Sequence, residues 1–324
     1  MHIVMASDAN FAPWLGVALS SILRFNNGPD VTVHIICDNI LKNDLEKLKL
    51  LAEEKNVVLV EYDVSNALSD EGASLHTRPV PNNKSSRLRL LSKHLSVGHK
   101  VSRSAYSRLF IDRLLDPLIE RVIYIDSDVL CRESLRDLSK IDIGDAIVGA
   151  VAELPEGASF HGNKLNLSSP EQYFNSGMLV IDLQRWREAN VGANCLEWLS
   201  KNQDATLWWD QDALNATLFG RVCFLSRKWN YINFHHAPKI PHGTAIWHAA
   251  GPHKPWLDTA IGPAADEWRH FHHTTHWKDT PYIKDSNKIR RMRKNLIAIT
   301  PFGNKIYEML RGDTKLDWDK DDNL

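Results

Sequence analysis

The sequence is poor in cysteine and carries almost no net charge. Four cysteines occur in 324 residues, none in a CxxC pair, which suits reduced thiols better than a disulfide framework or a zinc ribbon. We expect Cys37, Cys131, Cys195 and Cys223 to be reduced thiols in the core of a cytosolic protein. The 39 lysine and arginine residues nearly balance the 40 aspartate and glutamate residues, so no overall field favours nucleic acid as a partner.

Long apolar runs and a leader segment are also missing. The longest apolar stretch, residues 146–152, is much shorter than the roughly 18 residues of a membrane-spanning helix, so we expect no transmembrane segment. The first residues contain no basic segment ahead of an apolar one, which predicts that there is no secretory signal. An apolar fraction of 43% and a charged fraction of 24% are typical of a globular protein and exclude a disordered or fibrous chain.

Several nucleotide-binding and hydrolase motifs are absent. No GxGxxG follows a predicted strand, and GxxxxGK[ST], GxSxG and HExxH do not occur. These motifs build a dinucleotide-binding turn, a P-loop, a nucleophile elbow and a zinc-protease site, respectively. Their absence argues against a nicotinamide dehydrogenase, a P-loop NTPase, an α/β-hydrolase and a zincin.

What is present begins with strands that alternate with helices. Apolar runs predict strands at 2–6, 31–37 and 57–60, and helical spacing predicts helices from Ala12 to a stop at Asn26 and over 43–55. This βαβαβ order implies an α/β fold with a mainly parallel sheet, which binds ligands at the carboxyl ends of its strands. Farther on we predict strands at 121–126, 145–152, 173–182 and 222–225, helices at 104–115, 183–201 and 209–219, and a long loop over 66–98.

Two carboxylates stand at the end of the predicted strand RVIYI. Asp126 and Asp128, on either side of Ser127, can both turn toward one site, where they repel each other unless a cation or hydrogen-bond donors lie between them. Oxygen ligands of this kind suit Mg²⁺ or Mn²⁺, which would hold a diphosphate and stabilise it as a leaving group. The alternative is a surface turn with an Asx cap, because DxD is a short motif that is frequent by chance.

Histidine is concentrated late in the chain, with nine of the 15 histidines between residues 235 and 276. A zinc site is not favoured, because only His272, His273 and His276 are closely spaced and no CxxC accompanies them. His248 differs from the others because it lies in a predicted short strand. An imidazole added to two carboxylates favours Mn²⁺ over Mg²⁺.

Other polar residues are candidates for ligand binding. Gly251 lets a phosphate approach the backbone, and Lys254 supplies a positive charge for it. Asn175 could offer its amide to a hydroxyl-rich ligand. Asp210 and Gln211 open a predicted helix, where they could face a cleft; the alternative for Asp210 is a helix N-cap.

The C-terminal part of the chain is first aromatic and then basic. Seven tryptophans lie between residues 208 and 277, most of which we expect in the core, with sugar stacking as the alternative. Residues 284–311 contain eight basic and two acidic residues interleaved with apolar ones. Such a segment suits either an anionic membrane surface or a solvated helix pair packed on the core. We therefore predict one domain over 1–270 and a basic amphipathic extension over 271–324.

Six sequence blocks, taken in order and spacing, resemble a known family. They are MASDANF, SAYSRLF, YIDSDVLCRESL, YFNSGMLVIDLQRW, WWDQDALNATLFG and IWHAAGPHKPW. Together they resemble the retaining glycosyltransferases of family 8, especially the bacterial enzymes that add galactose or glucose to lipopolysaccharide. The resemblance implies a GT-A fold with a central mixed, mainly parallel sheet, a UDP-hexose donor and an oligosaccharide or lipid-linked saccharide acceptor. It also implies a cytoplasmic enzyme, which would be peripheral at the inner face of the plasma membrane if the basic extension binds lipid.

The same resemblance implies roles for individual residues. Asp126, Asp128 and His248 would hold Mn²⁺, with Mg²⁺ as the alternative. The donor would also contact Asp126, Ser127 and Asp128, and its uridine would lie at the turn formed by Ala6, Asp8 and Asn10. Its hexose would contact Glu153 and Asn175, with the pair Tyr106 and Arg108 nearby. Its phosphates would contact Gly251 and Lys254. Glu153 stands where relatives can carry aspartate, which leaves the choice between galactose and glucose open.

The resemblance places Gln211 nearest the reacting face of the anomeric carbon, with Asp210 and Asp212 as neighbouring carboxylates. Retention of configuration requires either two inversions through a covalent intermediate or attack on the same face through an oxocarbenium-like ion pair. We favour same-face attack because an amide is a poor nucleophile. Two other functions stay open, namely a hydrolase of UDP-sugars and a non-catalytic binder of anionic surfaces.

Overall fold

The computed structural model describes residues 1–64, 103–202, 206–232 and 239–285. It begins with β1 (His2–Asp8), α1 (Ala12–Phe25), β2 (Thr32–Asp38), α2 (Lys42–Glu54) and β3 (Val58–Asp63). The next part holds a 3-10 helix (Arg103–Phe110), α3 (Ile111–Leu114), β4 (Arg121–Ile125), β5 (Val129–Cys131), α4 (Arg136–Ser139), β6 (Val148–Ala152) and α5 (Pro155–Lys164). The last part holds a 3-10 helix (Pro170–Gln172), β7 (Phe174–Asp182), α6 (Leu183–Glu188), α7 (Val191–Lys201), α8 (Trp209–Leu218), β8 (Val222–Phe224), a 3-10 helix (Arg227–Trp229), β9 (Tyr231–Ile232), β10 (Ile246–His248) and α9 (Pro263–His272).

Seven strands form the main sheet in the order β3-β2-β1-β4-β7-β6-β8. Strand β7 runs antiparallel to its neighbours β4 and β6, whereas the other neighbouring pairs are parallel. The prediction of a central mixed, mainly parallel sheet is therefore confirmed. The five central residues of β1 are all buried, as expected for a strand covered on both faces. A second sheet has the order β5-β10-β9.

The direction of β7 decides which residues meet at one edge of the main sheet. Because β7 is antiparallel to β4, its amino-terminal end lies beside the carboxyl end of β4, where the Asp126 N–H donates to the Gly177 carbonyl at 2.8 Å. The second sheet reaches the same place, because the Ala249 N–H donates to the Asp128 carbonyl at 2.9 Å. This edge therefore brings Asp126 and Asp128 close to His248 at the end of β10.

Three parts of the predicted helix pattern differ from the structure. The segment 104–115 is a 3-10 helix followed by the single turn of α3 rather than one helix. The segment 183–201 forms two helices, because Asn190 adopts a left-handed backbone with a φ of 50° between them. Helices α5 and α9 were not predicted; α5 buries only Ala158 and Gly162, which leaves almost no periodic apolar signal. The predicted loop over 66–98 lies outside the described residues.

Tryptophans join α9 and the segment before it to helix α1. Trp14 stacks on Trp256 with ring centroids 5.0 Å apart and lies 5.9 Å from Trp268. All three side chains are buried. Of the seven tryptophans between residues 208 and 277, five are buried, as expected for most of them, whereas Trp209 is half-buried and Trp208 is 44% exposed.

The chain beyond residue 270 continues to pack on the same core as far as Asp285. Trp277 is fully buried, and its Nε1 donates to the Asp44 carboxylate at 2.8 Å. Ile283 forms a parallel bridge with Leu257. Of the predicted basic segment, everything from residue 286 onward lies outside the described residues.

The four cysteines are free thiols. Cys131 and Cys195 are buried, and burial raises the pKa of each thiol to about 12. Such thiols stay protonated and unreactive at neutral pH, which agrees with the structural role predicted for them. Within the ranges that the structure describes, none of the helices is long and apolar enough to span a bilayer.

Replacing Gly16 with alanine is expected to destabilise the packing of Trp277 on α1. A Cβ at this position would lie 2.3 Å from the indole atoms Cε2 and Cζ2, so the ring must move. Overpacking of this kind costs about 1–3 kcal/mol of unfolding free energy, which urea denaturation measures. In a Trp277→Ala background the same change should cost almost nothing, and an equal loss in both backgrounds would contradict the contact.

Candidate active site

A cavity of about 840 Å³ opens at the edge of the main sheet where the ends of β4, β7 and β10 meet. Twelve of the sixteen candidate residues from the sequence line it: Ala6, Arg108, Asp126, Ser127, Asp128, Glu153, Asn175, Asp210, Gln211, His248, Gly251 and Lys254. The other four, Asp8, Asn10, Tyr106 and Asp212, do not line it. The topology therefore brings together residues that are up to about 250 positions apart in the sequence.

Arg108 organises one side of the cavity. Its Nη2 lies 2.7 Å from Asp126 Oδ1, its Nε lies 3.0 Å from Asp210 Oδ2, and its Nη1 donates to the Ser176 carbonyl at 2.5 Å. The guanidinium also lies over the Tyr124 ring, 4.5 Å from its centroid. Burial alone would lower the pKa of Arg108, but the surrounding negative charges, Asp126 foremost, raise it. The arginine is therefore a permanent cation that holds two carboxylates in place.

Asp128 occupies the opposite side with two potential cations. Its Oδ1 lies 3.2 Å from His248 Nε2, and its Oδ2 pairs with Lys254 Nζ. Burial would raise the pKa of Asp128, but Lys254 and His248 outweigh burial and hold that pKa well below its usual range. Lys254 is held in turn by the Ala249 carbonyl, to which its Nζ donates at 2.9 Å. Asp128 is therefore ionised at neutral pH and faces the cavity with a full negative charge.

Asp126, Asp128 and His248 form a group that fits a divalent metal ion. One ligand atom from each residue lies within 4.8 Å of the other two. Among the described residues, no second group of three or more histidine, cysteine, aspartate or glutamate side chains converges in this way.

Gln211 is held in one orientation beneath the cavity. Its Oε1 accepts from the Ser176 backbone N–H at 3.0 Å, and its Nε2 donates to the Tyr173 hydroxyl at 3.1 Å. Asp212 lies behind it and is almost completely buried. The Asp212 carboxylate accepts from the Tyr173 hydroxyl at 2.6 Å and from the backbone N–H groups of Leu207 and Trp208. Asp212 thus fixes the start of α8 rather than facing the cavity.

The candidate residues at the ends of β1 and β4 also have local partners. Asp8 Oδ1 accepts from the backbone N–H groups of Asn10 and Phe11, which closes the turn after β1. Ser127 Oγ donates to the Ala6 carbonyl at 2.9 Å and so joins the ends of β4 and β1.

Tyr106 is buried beside the cavity rather than in its wall. Its pKa is raised, mainly by burial, with a smaller contribution from the charge of Asp210. Its hydroxyl therefore remains a neutral hydrogen-bonding group at physiological pH.

Sequence reasoning missed several residues of the site. Tyr124 donates to Asp126 at 3.0 Å; it precedes Asp126 by two residues, so strand alternation could have placed both side chains on one side. Ser176 and Asn230 contact Arg108 and His248, respectively, and have no comparable signal. Trp208 lines the cavity together with His161, its Nε1 donating to His161 Nε2 at 2.8 Å.

The Asp210→Asn variant is expected to change how stability depends on pH. Burial raises the pKa of Asp210 from 3.8 to about 6, although Arg108 opposes the shift. The folded protein therefore keeps a proton that the unfolded chain releases between these pH values, so wild-type stability falls relative to the variant as pH rises from 4 to 6. The difference should change by about 3 kcal/mol and then level off. Urea unfolding of both proteins between pH 4 and 7.5 measures it, and a difference independent of pH would contradict the burial argument.

Comparison with known proteins finds similarity over most of the chain. The family model of glycosyl transferase family 8 matches residues 2–260. A lipopolysaccharide 1,2-glucosyltransferase of Escherichia coli K12 is 26% identical over 91% of this chain and 83% of its own length. A lipopolysaccharide 1,3-galactosyltransferase of Salmonella typhimurium is 21% identical over 91% of this chain and 85% of its own length.

A solved structure shares the fold. The galactosyltransferase LgtC, in complex with donor and acceptor sugar analogs, superposes with a TM-score of 0.65 at 24% identity, covering 85% of this chain and 96% of LgtC. The α/β architecture described above is therefore a GT-A fold.

Proposed function

We propose that this chain, which belongs to glycosyl transferase family 8, transfers galactose or glucose from a UDP-sugar to a saccharide acceptor with retention of configuration. The observation that carries the proposal is the convergence of Asp126, Asp128 and His248 in a large cavity at the edge of the sheet. The glucosyl- and galactosyltransferase names of its relatives support a hexose donor and, as acceptor, the lipopolysaccharide core or another surface glycan.

Mn²⁺, or Mg²⁺ in its place, would be held by the two carboxylates and the imidazole. The donor set of two oxygen atoms and one nitrogen atom suits Mn²⁺. A bound divalent cation would neutralise charge on the diphosphate leaving group. The chain itself adds Lys254, whose ammonium group lies at the cavity wall beside Asp128 and can take up negative charge on the departing phosphate.

The surroundings of the carboxylates support attack on the same face of the sugar. Asp212 is buried with three hydrogen-bond donors, and Asp210 pairs with Arg108. Gln211 is an uncharged amide and a weak nucleophile. None of these three groups is an exposed, unpaired carboxylate suited to a covalent intermediate. We therefore propose that the departing phosphate oxygen accepts the proton of the attacking hydroxyl.

The rim of the cavity offers an apolar surface for the acceptor. The Trp208 indole is 44% exposed and is held by its hydrogen bond to His161, which stacks on Tyr173 at 5.3 Å. A rigid, half-exposed indole suits stacking on the apolar face of a sugar ring. A cytoplasmic position, peripheral at the inner face of the membrane through the basic segment 284–311, stays a prediction, because almost all of that segment lies outside the described residues.

A panel of UDP-sugars tests the proposal. With Mn²⁺ present, release of UDP should occur with UDP-galactose or UDP-glucose and should increase when an oligosaccharide acceptor is added. Free hexose that appears at the same rate with and without an acceptor would instead identify a UDP-sugar hydrolase. No UDP release with any donor, in protein that is folded by circular dichroism, would refute the proposed activity.

A further inference from the structure

We propose that Asn230, oriented by Asn175, holds His248 in the tautomer that carries its proton on Nδ1 and so leaves Nε2 free to bind a metal ion. Neither asparagine touches the proposed metal position, so both act as positioning residues. The consequence for metal binding rests on the proposed function. The tautomer itself is a property of the metal-free chain and can be measured without any activity.

Four buried side chains form a continuous line of hydrogen bonds from the cavity wall to the imidazole. Asn175 Nδ2 lies 3.1 Å from Glu153 Oε2, and Asn230 Nδ2 lies 2.9 Å from Asn175 Oδ1. Asn230 Oδ1 then lies 2.9 Å from His248 Nδ1. All four residues are buried, and Asn230 is only 1% exposed. Asn230 does not line the cavity, so its amide makes both hydrogen bonds in the protein interior.

Two groups fix which atoms donate and which accept along this line, because one can only donate a hydrogen bond and the other can only accept one. The Gly177 backbone N–H can only donate, and it lies 3.0 Å from Asn175 Oδ1. The Glu153 carboxylate can only accept, and it faces Asn175 Nδ2. The Asn175 amide consequently has one orientation, with its oxygen toward Gly177 and its nitrogen toward Glu153.

The orientation of Asn175 is passed on to His248. Because Asn175 Oδ1 accepts, Asn230 must present its NH₂ group to it, which points Asn230 Oδ1 at the imidazole. An amide oxygen only accepts, so His248 Nδ1 must carry a proton. The free imidazole in water prefers the proton on the other nitrogen, and Asn230 therefore works against the intrinsic preference of the ring.

The result is an imidazole prepared for a cation. In the neutral ring with its proton on Nδ1, the lone pair of Nε2 faces Asp128 Oδ1 at 3.2 Å. In this state Nε2 and Asp128 Oδ1 are two acceptors side by side, and their repulsion is removed by a proton or a metal ion between them. The ring cannot shift away easily, because it packs on Gly177, where an added Cβ would lie 2.2 Å from His248 Cε1. Orienting partners of this kind commonly change metal affinity 10- to 100-fold.

Nitrogen NMR of the full chain labelled with ¹⁵N-histidine tests the inference. The spectrum is taken without metal at a pH where the imidazole is neutral, and the His248 signals are identified by their loss in His248→Gln. We expect the Nδ1–H tautomer in the wild type, and a shift toward Nε2–H in Asn230→Leu. Asn230→Asp keeps an acceptor for the Nδ1 proton and should keep the wild-type tautomer.

Mn²⁺ affinity provides the second measurement, by electron paramagnetic resonance in the presence of UDP. Asn230→Leu should raise the Kd of Mn²⁺ by about 10- to 100-fold. Glu153→Ala should leave the tautomer unchanged, because the Gly177 N–H still orients Asn175. Asn26→Ala is the matched control. Asn26 is also fully buried, and its side chain hydrogen-bonds to the Ile22 carbonyl in α1 and to the Leu135 N–H just before α4. Unlike Asn175, it does not line the cavity. It should lower stability without changing tautomer or affinity.

Two outcomes would overturn the inference. One is an Nε2–H tautomer in the wild type. The other is an Asn230→Leu variant that keeps both the Nδ1–H tautomer and a Kd within about twofold of the wild type. An intact Nδ1–H tautomer in a protein that transfers no sugar would instead refute the proposed function and leave this inference standing.

Discussion

The Asp128→Asn variant is expected to lose sugar transfer on the order of a thousandfold, equivalent to about 4 kcal/mol of transition-state stabilisation. The amide keeps the shape of the side chain but removes the negative charge between His248 and Lys254 that would hold a divalent cation. Asp126→Asn should have a comparable effect. UDP release in the presence of donor, acceptor and Mn²⁺ measures the loss.

Two controls separate this effect from damage to the fold. Asp30→Asn removes an exposed carboxylate that pairs with Arg136 on the surface, and it should leave transfer unchanged. Circular dichroism should show the same helix and strand content in all variants. If the wild-type protein transfers sugar undiminished in excess EDTA, the metal role of Asp126, Asp128 and His248 is refuted.

The Arg108→Met variant is expected to destabilise the protein by about 3–5 kcal/mol, because it leaves the buried carboxylate of Asp210 and the partly buried carboxylate of Asp126 beside an apolar side chain. Methionine replaces much of the arginine stem, so the loss reports mainly on charge. Part of the loss should be recovered as pH falls, because without Arg108 the pKa of Asp210 rises above its wild-type value of about 6 and the carboxyl group takes up a proton. Urea unfolding at pH 5 and pH 7.5 measures both effects.

Arg136→Met provides the matched comparison. Arg136 also pairs with a carboxylate, that of Asp30, but both side chains are about half exposed, at 44% and 57%. Exposed ion pairs contribute at most about 1 kcal/mol, so this variant should be close to the wild type in stability. Equal losses in the two variants would mean that Arg108 does not hold its carboxylates in a buried network.

Much of the fold could be predicted because its signals are local. Strands β1 and β4 are short apolar runs, β7 contains the apolar run 178–181, and α1 shows helical spacing until Asn26 ends it, so each element is visible within a short window of sequence. Helix α5 buries almost no apolar side chain, and the break between α6 and α7 depends on a single left-handed residue, Asn190. Such features depend on tertiary contacts or on one dihedral angle, which periodicity does not reveal.

The residues that form the candidate metal site could be predicted from the sequence, but the side chains that position them could not. Asp126 and Asp128 could be singled out because strands end in side chains that face one edge, and His248 because it lies in a short strand of its own. Asn230 could not, because its role arises only when β10 and the 3-10 helix before β9 bring His248 to an amide 18 residues away. The pairing of Arg108 with Asp210 likewise spans more than a hundred residues, and no spacing rule reaches that far.

The bridge between Leu257 and Ile283 bears on how shortened forms of the protein should be designed. The bridge holds the segment around Ile283 against the segment that follows Lys254. The Asp285 N–H donates to the Asp258 carboxylate beside it. Ending the polypeptide near residue 270 would therefore remove the bridge partner of Leu257, three residues after the cavity-lining Lys254, and would delete Trp277, which packs on Gly16 in α1. A shortened form meant to remove the basic tail alone should keep every residue through Asp285.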